Sequence, residues 1–523
     1  MNKKLQVNLV ALSFPKRDLS IPLLYLKGFA EKDTEVRERA DLRVTQFERD
    51  ADFEDIYRSL EGLDGGIFGF SCYVWNMEKC LALASRLKRE RGAVVLFGGP
   101  QASALKLEMM RDNGFIDYLV VGEGERPFYN LLKRHFLDKE PVEGVRGVAW
   151  RREGEPVYNG DDAIAGDLSE VPLPHFHGDY RAYLDALDEP VTTQLETTRG
   201  CPFQCRYCSW YNRQKVRKFP LEEVFRAFAF LLAHPKISRI YVTDSNAFVF
   251  RERQKEILRF IISRNTRRIP VIFELNPEFL DDELVDLIAL MGSQELAFGL
   301  QSTSGVVLGN INRRFRADLY REKIFRLKER FPGVKTWFGV ILGLPGDTYG
   351  SFLDSLEFAV RLKPYSLYIH ELLVLPGSEF YEKSAEYGLT FEKKPPYTVI
   401  SNGTMSRDEC RELKHLGFTV SLLHHIDPVR EGMLEIYENF RHWRLIDLYR
   451  KFTGLLLERG LIPSVGEVSG MRSIEFDPRY EQMKGDGRFV ASVRSALRDF
   501  MEELCREQED RAWLKMQTAA SAN

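Results

Sequence analysis

Along the first 150 positions, short apolar runs alternate with longer amphipathic stretches. Val7–Ser13, Gly66–Ser71, Ala93–Gly99 and Tyr118–Gly122 read as buried strands, with helices over Tyr25–Ala30 and Met77–Glu90. This alternation predicts a doubly wound, parallel α/β sheet, a fold that binds ligands beyond the carboxyl ends of its strands. Residues 151–190 are polar and loop-rich and read as a linker. From 191 to 400 the alternation returns, with strands at Val191–Glu196, Arg239–Asp244, Val271–Leu275, Glu295–Gln301, Val334–Leu342 and Ser366–Leu373 and a helix at Arg251–Ser263. Six such units predict a partial (β/α)6 barrel. After Ser406 amphipathic helical spacing takes over at Glu409–Leu422, Met433–Leu457 and Val490–Leu514, so residues 401–523 form a mainly helical last domain with a frayed end at Ala519–Asn523.

Three loops at strand ends of the first unit carry candidate ligand contacts: Ser71–Asn76 with Tyr73, Trp75 and Asn76; Gly98–Ser103 with Gly98, Gly99 and Ser103; and Gly122, Glu123, Gly124 and Glu125. Glycine lets backbone approach a flat or bulky ligand, and Ser103 has a hydroxyl to offer a phosphate or amide. The plain alternative is a set of tight turns with Ser103 as a helix N-cap.

The segment Thr197–Trp210, just after the first barrel strand, contains Cys201, Cys205 and Cys208 in the spacing C-x3-C-x2-C. Three clustered thiolates can hold three irons of a [4Fe–4S] cluster and leave the fourth open to a small molecule. A zinc site would want a fourth ligand, and none is nearby. Seven cysteines in 523 residues are too few for a disulfide scaffold and point to a reducing compartment. The N-terminus carries no signal-peptide pattern and no stretch reaches membrane-spanning length, so a cytoplasmic, membrane-free protein is expected. Apolar content of 44%, charged content of 29% and a net charge of −3 fit a globular protein and do not favour nucleic acid as partner.

The cysteine spacing, with Tyr207 between the last two, resembles the radical-SAM superfamily. The first unit, with its strand order, the Gly98-Gly99-Pro100 loop with Ser103, and Gly122–Glu125, resembles the cobalamin-binding module of the class B, cobalamin-dependent members. The resemblance covers roughly residues 1–400. It implies that Cys201, Cys205 and Cys208 hold [4Fe–4S] and that the open iron takes S-adenosylmethionine (SAM). It further implies that Tyr207 lies near adenine, or alternatively orders the loop as a core residue.

By the same resemblance Asp244, Ser245 and Asn246 approach the methionine amine, Glu274 an amine or ribose, Gln301 and Ser302 ribose or carboxylate, and Arg313 or Arg314 the carboxylate. Gly343 opens the segment expected near adenine. Helix capping competes for each polar residue. The cobalamin signature Asp-x-His-x-x-Gly is absent, and the loop Ser13–Ser20 has no histidine. The cobalt's lower face is then expected against Cys72, Tyr73, Val74, Trp75 or Asn76, with Cys72 a ligand or a buried structural thiol.

The implied activity is methylation of an unactivated carbon of a peptide or small molecule, with flavodoxin or ferredoxin as electron donor. Cyclisation, ring contraction, methylthiolation, an iron–sulfur sensor and a cobalamin-free first module are the alternatives. His175 and His177 in the linker have a metal-compatible spacing. His424, His425, Tyr437, His442 and Trp443 are substrate-facing or core positions.

Overall fold

The computed structural model describes residues 3–14, 19–164, 166–209, 215–292, 294–471 and 478–520. Positions 15–18 of the early histidine-free loop, Trp210 and the last three residues lie outside them.

The first sheet has seven strands: β1 (Leu5–Ser13), β2 (Ala40–Glu48), β3 (Ile67–Ser71), β4 (Val94–Gly98), β5 (Tyr118–Val120), β6 (Val148–Arg152) and β7 (Glu155–Tyr158), in the order β2-β1-β3-β4-β5-β6-β7. The first five are parallel, and β6 and β7 add an antiparallel edge. β1 is almost wholly buried, because helices cover both faces and build two separate apolar layers. A strand buried on both sides needs a continuous apolar run. β2 lacks one: it is an edge strand with mixed polarity, mostly half-exposed towards its end. The sheet also runs past residue 150 into the stretch read as linker, because β6 and β7 form a polar hairpin too short to show a period.

The second sheet comprises β8 (Val191–Leu195), then, beyond the short pair β9 (Thr198–Arg199) and β10 (Arg217–Lys218), β11 (Ile237–Val242), β12 (Val271–Glu274), β13 (Gln294–Gln301), β14 (Lys335–Leu342) and β15 (Ser366–Glu371). β8 and β11–β15 are parallel and lie in sequence order, an open half-barrel. The helix Arg407–His424 starts in a capping box made by Ser406 and Glu409. It packs on β15, where the Ser421 hydroxyl donates to the Leu367 carbonyl at 2.7 Å. The last helices thus share one apolar core with the half-barrel. The stretch Met433–Leu457 is not one helix. It breaks into Asp427–Asn439 and Leu445–Glu458, because Phe440 leaves helical geometry and Trp443 closes a turn onto it. Among the described residues no helix is long and apolar enough to cross a membrane.

Candidate functional site

The carboxyl ends of both sheets face one cavity of about 1470 Å³. Leu12, Ser71, Gly98, Gly99, Val120 and Gly122 border it from the first sheet, and Glu196, Thr243, Ile341, His370 and Glu371 from the second. All the first-unit candidates lie on its wall: Tyr73, Trp75, Asn76, Gly98, Gly99, Ser103, Gly122, Glu123, Gly124 and Glu125. Their local roles differ. Tyr73 stacks on Trp75 with centroids 4.4 Å apart, and Trp75 remains 44% exposed. The Asn76 amide is spent on the loop itself. Its oxygen accepts from Tyr73 N–H at 2.8 Å and its nitrogen donates to the Leu12 and Ser71 carbonyls.

Gly99 has φ +95°, and a Cβ there would meet the Cys72 carbonyl oxygen at 2.7 Å. Only glycine lets β4 turn so closely past β3. Ser103 lies within the helix Pro100–Leu105 rather than at its N-cap, and its hydroxyl accepts from Gly122 N–H at 3.0 Å. Cys72 is fully buried, donates to Phe70 O and lies off the cavity wall, a structural thiol pushed well above its ordinary range by burial.

A second cavity of about 420 Å³ lies inside the half-barrel. Cys201, Cys205 and Cys208 border it together with Tyr207, Ser245, Asn246, Glu274, Gln301 and Arg313. The three thiols share this wall without converging: among the described residues no group of three or more His, Cys, Asp or Glu is arranged to hold a metal ion. The Arg313 guanidinium donates to Gly299 O and faces Cys205 and Tyr207, while Arg314 is exposed. Burial, with Cys205 and Cys208 beside it, raises the Tyr207 phenol despite Arg313. Glu274 is open to the cavity yet deep in the molecule. Burial raises its carboxyl, and Tyr241 donates a hydrogen bond to it. Gln301 has φ +68°, and its side-chain oxygen is buried without a partner, as is the indole N–H of Trp337.

Three candidates stand off this wall. Asp244 is buried behind it, accepting the Thr197 and Thr198 N–H groups at 2.7 and 3.0 Å. It ties the start of the cysteine loop to β11, while Ser245 donates to Gly200 O at 2.6 Å. Ser302 is 1% exposed beside Ser355. Gly343 lies against Val399, where a Cβ would come within 2.5 Å, so its glycine serves packing. At strand ends a polar residue reads equally as ligand or as loop tie, and here packing decided.

Four of the remaining histidine candidates are held by hydrogen bonds within the fold. His175 is buried on the Gln194 carbonyl and held down to about 4 by burial. His177 meets Glu31 at 2.8 Å and caps a helix through Asp179 N–H. His424 pairs with the Tyr449 hydroxyl at 2.9 Å, and its burial, with Arg430 nearby, lowers it to about 3. His425 binds Tyr480. None of these, nor Tyr437, His442 or Trp443, borders either cavity.

Sequence reasoning missed Tyr241, Trp337, Tyr368 and His370, which line the smaller cavity. Trp337 and Gly339 on β14, and Tyr368 and His370 on β15, are spaced two apart, the period that puts side chains on one face. Tyr207, Cys208 and His370 border both cavities. It also missed Arg199 and Arg217, which reach from the half-barrel to Glu123 and Glu125.

The chain matches the Radical SAM superfamily over residues 195–359 and the B12 binding domain over residues 9–132. It is 26% identical over 401 residues to the cobalamin-dependent radical SAM methyltransferase TokK of Streptomyces tokunonensis, covering 71% of this chain and 56% of that protein. It is 26% identical over 458 residues to the 2-(S-pantetheinyl)-carbapenam-3-carboxylate methyltransferase of Streptantibioticus cattleyicolor, covering 80% and 64%. The chain thus spans less than two thirds of either relative. The solved structure of the cobalamin-dependent S-adenosylmethionine radical enzyme OxsB, with aqua-cobalamin and S-adenosylmethionine bound, superposes with a TM-score of 0.64 at 15% identity. That superposition covers 97% of this chain and 80% of OxsB, and at this identity it speaks for the fold. The chain thus joins a B12 binding domain to a Radical SAM domain that follows it, a two-domain arrangement consistent with the class B, cobalamin-dependent radical-SAM family.

Proposed function

We propose that this chain is a cobalamin-dependent radical-SAM C-methyltransferase acting on an unactivated carbon of a peptide or small metabolite. The observation that carries this reading is the shared wall of Tyr207, Cys208 and His370, where the cysteine-lined cavity meets the cavity between the sheets. Methyl transfer to a carbon radical needs the abstraction site and the methyl source within one water-poor space.

The residues present fit the groups the family uses. A cubane takes one thiolate at each of separate corners, so its ligands need not converge on a point. Cys201, Cys205 and Cys208 on one wall are suited to that. The unpartnered Gln301 oxygen and Trp337 N–H, with Arg313 and Glu274, offer acceptors and donors for the carboxylate, amine and ribose of SAM. The bare backbone at Gly98 and Gly99 and the Tyr73–Trp75 stack offer a flat bed for a corrin. When bound, the cluster with SAM supplies hydrogen abstraction and cobalamin supplies the methyl group.

The chain's own part is placement. Asp244 and Ser245 fix the cysteine loop, Arg313 offers positive charge beside Cys205, and apolar side chains such as Ile341, Leu372 and Leu373 give the larger cavity an apolar wall. A one-electron donor such as flavodoxin or ferredoxin completes the scheme.

The test is anaerobic titration of iron–sulfur-reconstituted protein with hydroxocobalamin, followed by reduction in the presence of SAM. Stoichiometric cobalamin uptake with deoxyadenosine formation supports the reading, and a substrate screen for paired methyl and deoxyadenosine products completes it. Deoxyadenosine without any methylated product favours a cyclisation or rearrangement on the same cofactors. Cluster redox cycling without SAM cleavage leaves a sensor, and no cobalamin uptake makes the first unit a substrate or partner module.

A further inference from the structure

Glu123 and Glu125 border the larger cavity, but their carboxylates turn to the half-barrel. The Arg199 guanidinium forks onto Glu196 through Nε and Nη2, at 3.1 and 2.9 Å. It gives Nη1 to Glu125 at 2.9 Å and to Glu123 at 3.3 Å. Arg217, paired with Arg199 across the β9–β10 ladder, donates to both oxygens of Glu123, with Nη1 at 3.1 Å from Oε2. These five side chains are 7–18% exposed. Two guanidinium groups held side by side repel unless carboxylates lie between them, and here two of the three carboxylates come from the other sheet. Arg199 stands two residues before Cys201, and the intervening Gly200 carbonyl is held by Ser245. The stem of the cysteine loop is thus gripped from its own sheet by Asp244 and Ser245, and from the first sheet by Glu123 and Glu125.

We propose that Glu123 and Glu125 are positioning residues for the cysteine loop, acting through Arg199 and Arg217, and not ligands of the cofactor in the larger cavity. The loop Gly122–Glu125 therefore joins the two cavities mechanically: whatever seats against Gly122 and Gly124 also sets where Cys201 stands. The inference rests on the functional reading above only in naming what the two cavities hold.

The experiment compares the parent with Glu123→Gln/Glu125→Gln, which keeps size and one acceptor oxygen on each side chain and removes the charge. Three quantities are read: hydroxocobalamin affinity, the perturbation that SAM causes in the electron paramagnetic resonance spectrum of the reduced cluster, and calorimetric unfolding of the unloaded protein. The expected result is hydroxocobalamin affinity within about two-fold of the parent, SAM binding weakened roughly ten-fold with a changed cluster spectrum, and a single unfolding transition split in two. Arg217→Lys, which keeps the charge and loses the fork, shifts the spectrum in the same direction and less far, and decides the matter if the double variant does not fold.

Loss of hydroxocobalamin with an unchanged cluster spectrum overturns the proposal and makes the two carboxylates ligands. No change in any readout also overturns it. If the parent takes up neither hydroxocobalamin nor SAM, the functional reading fails instead, and calorimetry alone decides: an unsplit transition in the double variant overturns the clamp.

Discussion

The Asp244 carboxylate accepts the backbone N–H of Thr197 at 2.7 Å, four residues ahead of the first cysteine of the loop, and also that of Thr198 at 3.0 Å. Burial pushes this carboxyl above its ordinary value, while the hydrogen bonds to Thr197 and Thr198 work against that shift. Asp244→Ala takes the acceptor from two buried backbone N–H groups, at about 1–3 kcal/mol each, and from the Thr197 hydroxyl. The expected outcome is a lowered unfolding midpoint and reduced iron incorporation on reconstitution, with Asp244→Asn milder because one acceptor oxygen remains.

Cysteine substitutions separate the loop from the rest. Cys201→Ala, Cys205→Ala and Cys208→Ala are each expected to abolish cluster-dependent SAM cleavage, read as deoxyadenosine formed after anaerobic reduction. Cys72→Ala, at a buried thiol off both cavity walls, is expected to retain it with a stability loss of about 1 kcal/mol. Full cleavage in all three loop variants removes the central mechanism.

The stack of Tyr73 on Trp75 presents an aromatic face to the larger cavity. Trp75→Ala is expected to weaken hydroxocobalamin by about five- to ten-fold, the equivalent of roughly 1 kcal/mol of stacking, without altering iron content. Equilibrium titration followed by absorbance reads both.

Lys414 and Glu371 form an ion pair at 3.0 Å with both side chains under 10% exposed, and Lys414 also donates to the Met471 carbonyl at 2.7 Å. Lys414→Met strands a buried carboxylate and is expected to cost about 3–5 kcal/mol at neutral pH. Glu371→Leu/Lys414→Met is expected to recover most of that, measured by urea unfolding. Because Glu371 and Met471 both border the larger cavity, the single variant is also expected to change what that cavity accepts.

Asp347 is buried with one oxygen unpartnered, and burial raises its carboxyl to about 6 against an ordinary 3.8. The folded state therefore holds the proton more tightly than the unfolded chain. The group is neutral to stability below about pH 4 and costs increasingly as pH rises through 6, reaching roughly 3 kcal/mol by pH 7. Asp347→Asn is expected to raise the unfolding midpoint at pH 7.5 and to leave it unchanged near pH 4.

The strands and the cysteine loop were legible because each follows a local rule: apolar runs where a strand is buried on both faces, and a fixed thiol spacing after β8. The edge strand β2 and the hairpin β6–β7 escaped because half-solvated strands need no apolar run. Site residues divided in the same way. Gly98, Gly99, Gln301 and Arg313 line the cavities named by their strand ends, whereas Asp244, Ser302 and Gly343, marked by the same rule, were drawn into packing. His370, Trp337 and Arg199 were illegible for the opposite reason. Their meaning lies in which strand stands beside which, and in a carboxylate some 75 positions away in the chain.

Tyr207, Cys208 and His370 are wall to two rooms at once. No side chain there can be enlarged for the benefit of one room without intruding on the other. The range of molecules the chain accepts on one side is therefore inherited partly from the geometry required on the other. Divergence in substrate is then expected to run through positions bordering a single room, such as Phe14, Leu375 and Met471, while the doorway stays as it is.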